Sequence, residues 1–228
     1  MVRFYLGTPK NQMQAHAASQ SRLPVLVSFG ATAPWLDKHW MSSFDRVLLD
    51  SGSFSELNSG KVIDGEAYSD WAREREPWVD AWAGIDDIRG DWRRSLSNYE
   101  KFGGFPTFHD TDPVELLDDI IALALSGQRW IGIGMLPPRA GREDWLRRTL
   151  DRVPDGIHVH GWACGQYAHI NRIDSVDSTN WWRDSFLITK NPMTSHLTPG
   201  EALDIVVKRY QRRGRTKATH TDQTTLFE

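Results

Sequence analysis

The sequence predicts an α/β fold, a compact single-domain (β/α)₈ barrel with a short N-terminal strand and a basic C-terminal helix and tail. Short apolar runs alternate with stretches of helical spacing, which indicates parallel βαβ units. About eight such runs follow the first one, a number that suits a closed barrel. Several runs also end in a carboxylate or an imidazole. A doubly wound sheet is the alternative, but the strand count is high for it. No Gly-x-Gly-x-x-Gly or Walker-type loop follows a strand, so a nucleotide-phosphate cradle lacks support.

Val2 to Leu6 reads as the opening strand, broken by Gly7-Thr8-Pro9, and Met13 to Gln20 as a short helix. Pro24 to Phe29 is a buried strand, Pro34 to Ser43 a Trp-rich helix or loop, and Val47 to Leu49 a strand ending at Asp50. Glu66 to Glu76 has helical spacing, and Val79 to Ala83 reads as a strand leading to Asp86 and Asp87. Asp91 to Phe102 is a helix, and Phe105 to Phe108 a strand ending at His109. Asp112, Pro113 and Glu115 supply helix-start signals for a segment reaching Ser126. Trp130 to Gly134 is a strand, Arg142 to Asp151 a helix, and Gly156 to His160 a strand. Asn171 to Val176 is a short strand ending at Asp177, and Phe186 to Ile188 reads as a last one. Thr198 to Glu201 caps a terminal helix reaching Arg212. Residues 1–200 are thus assigned to the barrel and 201–228 to the helix and tail.

The 228 residues are 39% hydrophobic and include 11 Trp, enough for a real core, and a net charge of −3 excludes a polycation. A nucleic-acid partner therefore needs a local basic surface. With Cys164 as the one cysteine, no intramolecular disulfide framework can form, which fits a reducing compartment. No apolar run of membrane length and no leader are present, so a soluble cytoplasmic protein is expected.

In a barrel, the loops after the strands share the face that carries the active site. The residues at those positions are Asp50, Asp86, Asp87, His109, Gly134, His160 and Asp177. The bland reading of Asp50 is an Asx-turn or a helix N-cap. Several carboxylates converging on one mouth repel one another without a function, however. Two facing carboxylates can do nucleophile and acid work at a glycosidic carbon.

Asp50-Ser51-Gly52-Ser53-Phe54 resembles the Asp-Ser-Gly-Gly-Phe/Tyr motif of the tRNA-guanine transglycosylase superfamily. Phe4-Tyr5-Leu6-Gly7-Thr8 and Ser175-Val176-Asp177-Ser178-Thr179-Asn180-Trp181 are more similar to its DNA-acting phage and bacterial branch, the DpdA-like enzymes. That resemblance spans residues 2–190 and implies exchange of guanine in DNA for a free 7-deazaguanine base. It implies Asp177 as the nucleophile at C1′ and Asp50 as the general acid and base. Asp86 or Asp87 would read the purine, with Ser51, Phe54, His109, Gly134 and His160 completing the pocket. The target nucleotide would be flipped out or single-stranded. A tRNA-acting enzyme and a non-catalytic nucleic-acid-binding partner on the same fold are the alternatives. Ser53 departs from the family's second Gly, and a single cysteine cannot build the structural zinc site of the tRNA enzymes, so no cofactor is expected.

His158, His160, Cys164 and His169 have the residue types for a transition metal, but their spacing matches no strong zinc pattern, and no metal is expected. Trp71, Trp78, Trp82, Trp130 and Trp145 fall on apolar faces and read as core, while Trp181 and Trp182 flank Asp177. Lys208, Arg209, Arg212, Arg213 and Arg215 offer phosphate contacts or, read blandly, a solvated helix end. Gln223 to Phe227 resembles the Gln-x-x-Leu-Phe peptide with which bacterial replication proteins dock on the sliding clamp.

Overall fold

The computed structural model describes residues 2–20, 22–31, 36, 38–53, 60, 62–87, 89–134, 140–178, 180–206, 208, 209 and 212. Phe54, Arg213, Arg215 and the Gln223–Phe227 segment lie outside the described residues.

Eight parallel strands run in chain order around one sheet: β1 (Arg3–Leu6), β2 (Val25–Ser28), β3 (Val47–Asp50), β4 (Ala81–Trp82), β5 (Thr107–His109), β6 (Trp130–Gly134), β7 (His158–Gly161) and β8 (Ser175–Ser178). β1 pairs with both β2 and β8, so the first and last strands meet. The remaining gap, between β4 and β5, is bridged where Ala83 pairs with Phe105 in parallel. This is a TIM-like α/β barrel.

Helices α1 (Gln12–Gln20), α2 (Lys38–Ser43), α3 (Gly65–Arg73), α4 (Trp92–Phe102), α5 (Leu116–Ser126), α6 (Arg142–Arg152) and α7 (Asn180–Lys190) alternate with the strands. Their starts follow local chemistry. The Asp64 carboxylate accepts the Glu66 and Ala67 N–H groups at the head of α3, and Asp91 accepts that of Arg94 at the head of α4. A terminal helix, α8, covers residues 199–206 and starts with a capping box. Glu201 N–H donates to Thr198 Oγ1, while Thr198 N–H donates to the Glu201 carboxylate at 2.8 Å.

Two expected elements differ. Phe186 to Ile188 lies inside α7 rather than in a strand, because β8 has already closed the ring against β1 and no edge is left to extend. Phe186 and Leu187 are exposed there. The helix after β5 starts at Leu116, not at Asp112, because the Asp112 carboxylate turns back to accept the His109 N–H at 2.7 Å.

The two-residue period of each strand sorts its side chains. Phe4, Leu6, Val25, Val27, Val47, Leu49, Ile131, Ile133, Val159 and Val176 point outward, into apolar layers under the helices. Ala202, Leu203 and Val206 of α8 are buried in the same outer layer. Tyr5, Leu26, Leu48, Ala81, Ala83, Phe105 and Trp130 fill the barrel interior. The base of the barrel is closed by Asp80, which accepts from the Tyr5 hydroxyl and pairs with Arg3 at 3.2 Å and Arg46 at 2.8 Å. Continuing each inward row by two residues brings Ser28, Asp50, His109, Gly134 and Asp177 to the opposite rim. No helix among the described residues is long and apolar enough to cross a membrane.

Candidate active site at the C-terminal rim of the barrel

Parallel pairing sets the site. Ser28 stands opposite Asp50, His109 opposite Gly134, and Asp177 opposite Tyr5 of β1. The Gly52 N–H and the Ser28 hydroxyl both favour the ionised form of Asp50. Burial nonetheless raises the Asp50 carboxyl to about 6, and the nearby Asp86 and Asp177 charges push the same way. Gly52 adopts φ +86°, and a Cβ there would meet Gly30 N at 2.9 Å and Ser28 Oγ at 3.0 Å. Only glycine lets the chain fold back closely enough to present its N–H to Asp50.

Asp86 faces the opposite balance. Burial would raise its carboxyl, but a hydrogen bond and ion pair from His109, with a further bond from Ser53, hold it below the usual range. The His109 Nε2 lies 3.0 Å from Asp86 and its Nδ1 3.4 Å from Asp112. Burial disfavours the imidazolium, yet the two carboxylates raise His109 to about 9, so the ring is a cation held between two anions. Ser53 completes this wall: its hydroxyl lies 2.9 Å from that of Ser51 and bonds to Asp86. The serine that departs from the resembled motif is thus engaged in the site.

Asp177 sits just inside the rim, its Oδ1 accepting the Ala163 N–H at 2.7 Å. Beneath it lies His160, fully buried, with Nε2 3.5 Å from the same oxygen. Beside the carboxylates, Ser53, Ile85, Asp86, Asp87, Arg94 and Asn98 help to line a cavity of about 270 Å³.

The structure therefore gathers Asp50, Asp86, His109, Gly134 and Asp177 at one rim. Asp87 lines the adjoining cavity and is paired with Arg94 at 3.4 Å. Three expected contacts are corrected. His160 does not reach the mouth, because its inward position on β7 is one layer below Asp177. His109 has both nitrogens engaged and braces the wall rather than offering a free group. Ser51 is buried behind Ser53, its hydroxyl turned to that neighbour. Lys208, Arg209 and Arg212 are exposed near the C-terminus, and Lys208 pairs with Asp204. Among the described residues no three His, Cys, Asp or Glu side chains group to hold a metal ion. Ser28, Asp112 and the Ala163 N–H were not anticipated. Asp112 had a signal in its three-residue spacing from His109, but it read equally well as a helix start.

No family model matches the chain, and no curated protein matches it. Among solved structures, the chain is similar to one from Coccidioides immitis that is proposed to be a fructose-1,6-bisphosphate aldolase. The TM-score is 0.59 at 11% identity, covering 96% of this chain and 93% of that one. It also aligns with the YdjI aldolase of Escherichia coli K12, with a TM-score of 0.42 at 11% identity over 96% and 90% of the two chains. The Coccidioides structure is named for an aldolase activity, not for base exchange. That finding overturns the expected guanine exchange on DNA and its tRNA-acting alternative. At this identity the likeness to the Coccidioides protein establishes the barrel fold and nothing narrower.

Proposed function

We propose that the chain is an enzyme that cleaves a small, sugar-like substrate by carboxylate acid–base chemistry. The observation that carries this reading is the split between neighbouring carboxyls at one rim. Asp50 is held near 6, able to hold a proton and to release it, while Asp86 is kept ionised against His109. Pairs of acids pushed apart in this way mark acid and base roles. A rim of carboxylates and serine hydroxyls is rich in acceptors and suits a substrate rich in hydroxyl donors.

Asp50 carries the proton. Protonated, it donates to the oxygen of the departing group as the bond to the sugar carbon breaks. The Asp177 carboxylate stabilises the positive charge that builds on that carbon. Water then adds, and its proton returns to Asp50, which restores the starting state. Asp86 stays ionised against His109 and forms the wall of the rim.

The test is hydrolysis of a panel of alkyl and 4-nitrophenyl hexosides and pentosides by the wild type, Asp50→Asn and Asp177→Asn. Loss of the general acid should slow alkyl glycosides by about 10²–10⁴-fold. The 4-nitrophenyl series should lose less, since that leaving group needs no proton. A folded wild type that turns over no glycoside between pH 4 and 8 overturns the reading.

A further inference from the structure

Two histidines and a serine inside the barrel have no part in the chemistry above. His158 and His160 both point inward from β7, and Ser175 points inward from β8, paired in register with His160. The Ser175 hydroxyl lies 2.8 Å from His158 Nε2 and 2.9 Å from His160 Nδ1. Two rings, the buried His160 and the half-buried His158, thus share one hydroxyl. His158 stacks on Trp130 at 3.6 Å between centroids, and His160 meets Trp162 edge-on at 4.4 Å and Tyr5 at 5.9 Å. These contacts fix both ring planes, so only the protons can rearrange.

A hydroxyl gives one proton and accepts in return, so the chain His158–Ser175–His160 can run in either direction. If Ser175 donated to His158, His160 Nδ1 would have to carry a proton. Its Nε2 would then either lack one, facing a carboxylate oxygen lone pair to lone pair, or make the ring an imidazolium at zero exposure. Both arrangements are costly in a buried apolar setting. In the other direction every group is neutral and each proton has an acceptor. His160 Nε2, a buried atom with no hydrogen-bond partner, then aims its proton at Asp177 Oδ1, 3.5 Å away.

We infer that Ser175 and His160 are positioning residues for Asp177. His158 Nε2–H donates to Ser175 Oγ, Ser175 Oγ–H donates to His160 Nδ1, and His160 Nε2–H faces Asp177 Oδ1. Together with the Ala163 N–H at 2.7 Å, this places two donors on Oδ1 and turns Oδ2 to the substrate. Ala163 adopts φ +54°, a backbone conformation rare for alanine, where its N–H meets the carboxylate. Hydrogen bonds at reacting groups are often long before substrate binds, and the 3.5 Å separation falls in that class. The role given to Oδ2 rests on the proposed function; the proton arrangement rests on the interior geometry alone.

The experiment is ¹⁵N NMR of the histidine rings, which separates the two neutral tautomers and the imidazolium without any substrate. In the wild type at pH 7, His160 should show a protonated Nε2 and a bare Nδ1, and His158 a protonated Nε2. A His160 protonated at Nδ1, in either the neutral or the charged form, overturns the relay. Ser175→Ala should move His160 to a mixture of tautomers, whereas an unchanged single tautomer in that folded variant would show that Ser175 does not set it. Should Ser175→Ala fail to fold, the wild-type spectrum still decides. A confirmed tautomer with no glycoside turnover would sink the proposed function and leave the relay standing.

Discussion

Ser28 stands directly opposite Asp50 at the ends of two adjacent parallel strands, and its hydroxyl favours the ionised form of that carboxyl. The hydroxyl opposes the burial that drives Asp50 toward its neutral form. Ser28→Ala should therefore move the Asp50 titration above about 6. In a pH–rate profile, the limb marking loss of the protonated acid should shift upward. An unshifted limb would show that the hydroxyl does not act on Asp50.

Asp50 also sets a stability cost whose sign can be worked out. Its folded-state value of about 6 lies above the ordinary 3.8, so between those pH values the folded chain binds more protons than the unfolded one. Stability falls as pH rises through that window and is level above it. The two-unit gap corresponds to about 3 kcal/mol lost by neutral pH. Asp50→Asn, neutral at every pH, should unfold at higher urea concentration than the wild type at pH 7. The difference should shrink toward pH 4. An equal gap at both pH values would place its origin outside titration.

Much of this was legible in the sequence, and the reasons differ by residue. Asp50 and Asp177 end inward-facing rows, and alternation along Val47–Asp50 and Ser175–Asp177 is enough to place them on the rim. The role of Ser28 depends on the register between β2 and β3, which no local pattern specifies. Asp112 was misassigned because Asp-Pro is a sound helix start, and only the fold brings the His109 ring within its reach. His160 misled for the converse reason. Its place at a strand end resembles that of Asp50, but β7 is offset by a layer, so its ring lies beneath the rim. Phe186 to Ile188 is apolar and short enough for a strand, and ring closure at β8 excludes it.

His109 is the keystone of the wall, held between Asp86 at 3.0 Å and Asp112 at 3.4 Å. Removing one member of such a buried set leaves uncompensated charge, at a cost of about 3–5 kcal/mol. His109→Phe should lower stability by that amount at pH 7 in urea unfolding. The wild type carries a second signature. With His109 raised from 6.5 to about 9, its contribution is complete below 6.5 and disappears as pH climbs through 9. Stability should fall between pH 7 and 10 in the wild type and stay flatter in His109→Phe. Parallel curves for the two would remove His109 as the titrating group.

The requirement for glycine at position 52 is purely geometric. At φ +86° a side chain is strained, and its Cβ would press on backbone, Gly30 N at 2.9 Å, rather than on a movable side-chain tip. The loop can relieve that contact only by swinging the Gly52 N–H away from Asp50. Gly52→Ala should cost about 1–3 kcal/mol from backbone strain. It should also raise the Asp50 titration, since the Gly52 N–H that favours its ionised form is moved away. The two effects separate in measurement, one in urea unfolding and the other in the carboxyl ¹³C shift of Asp50 against pH. Destabilisation with an unmoved titration would mean that the Gly52 N–H does not support the acid.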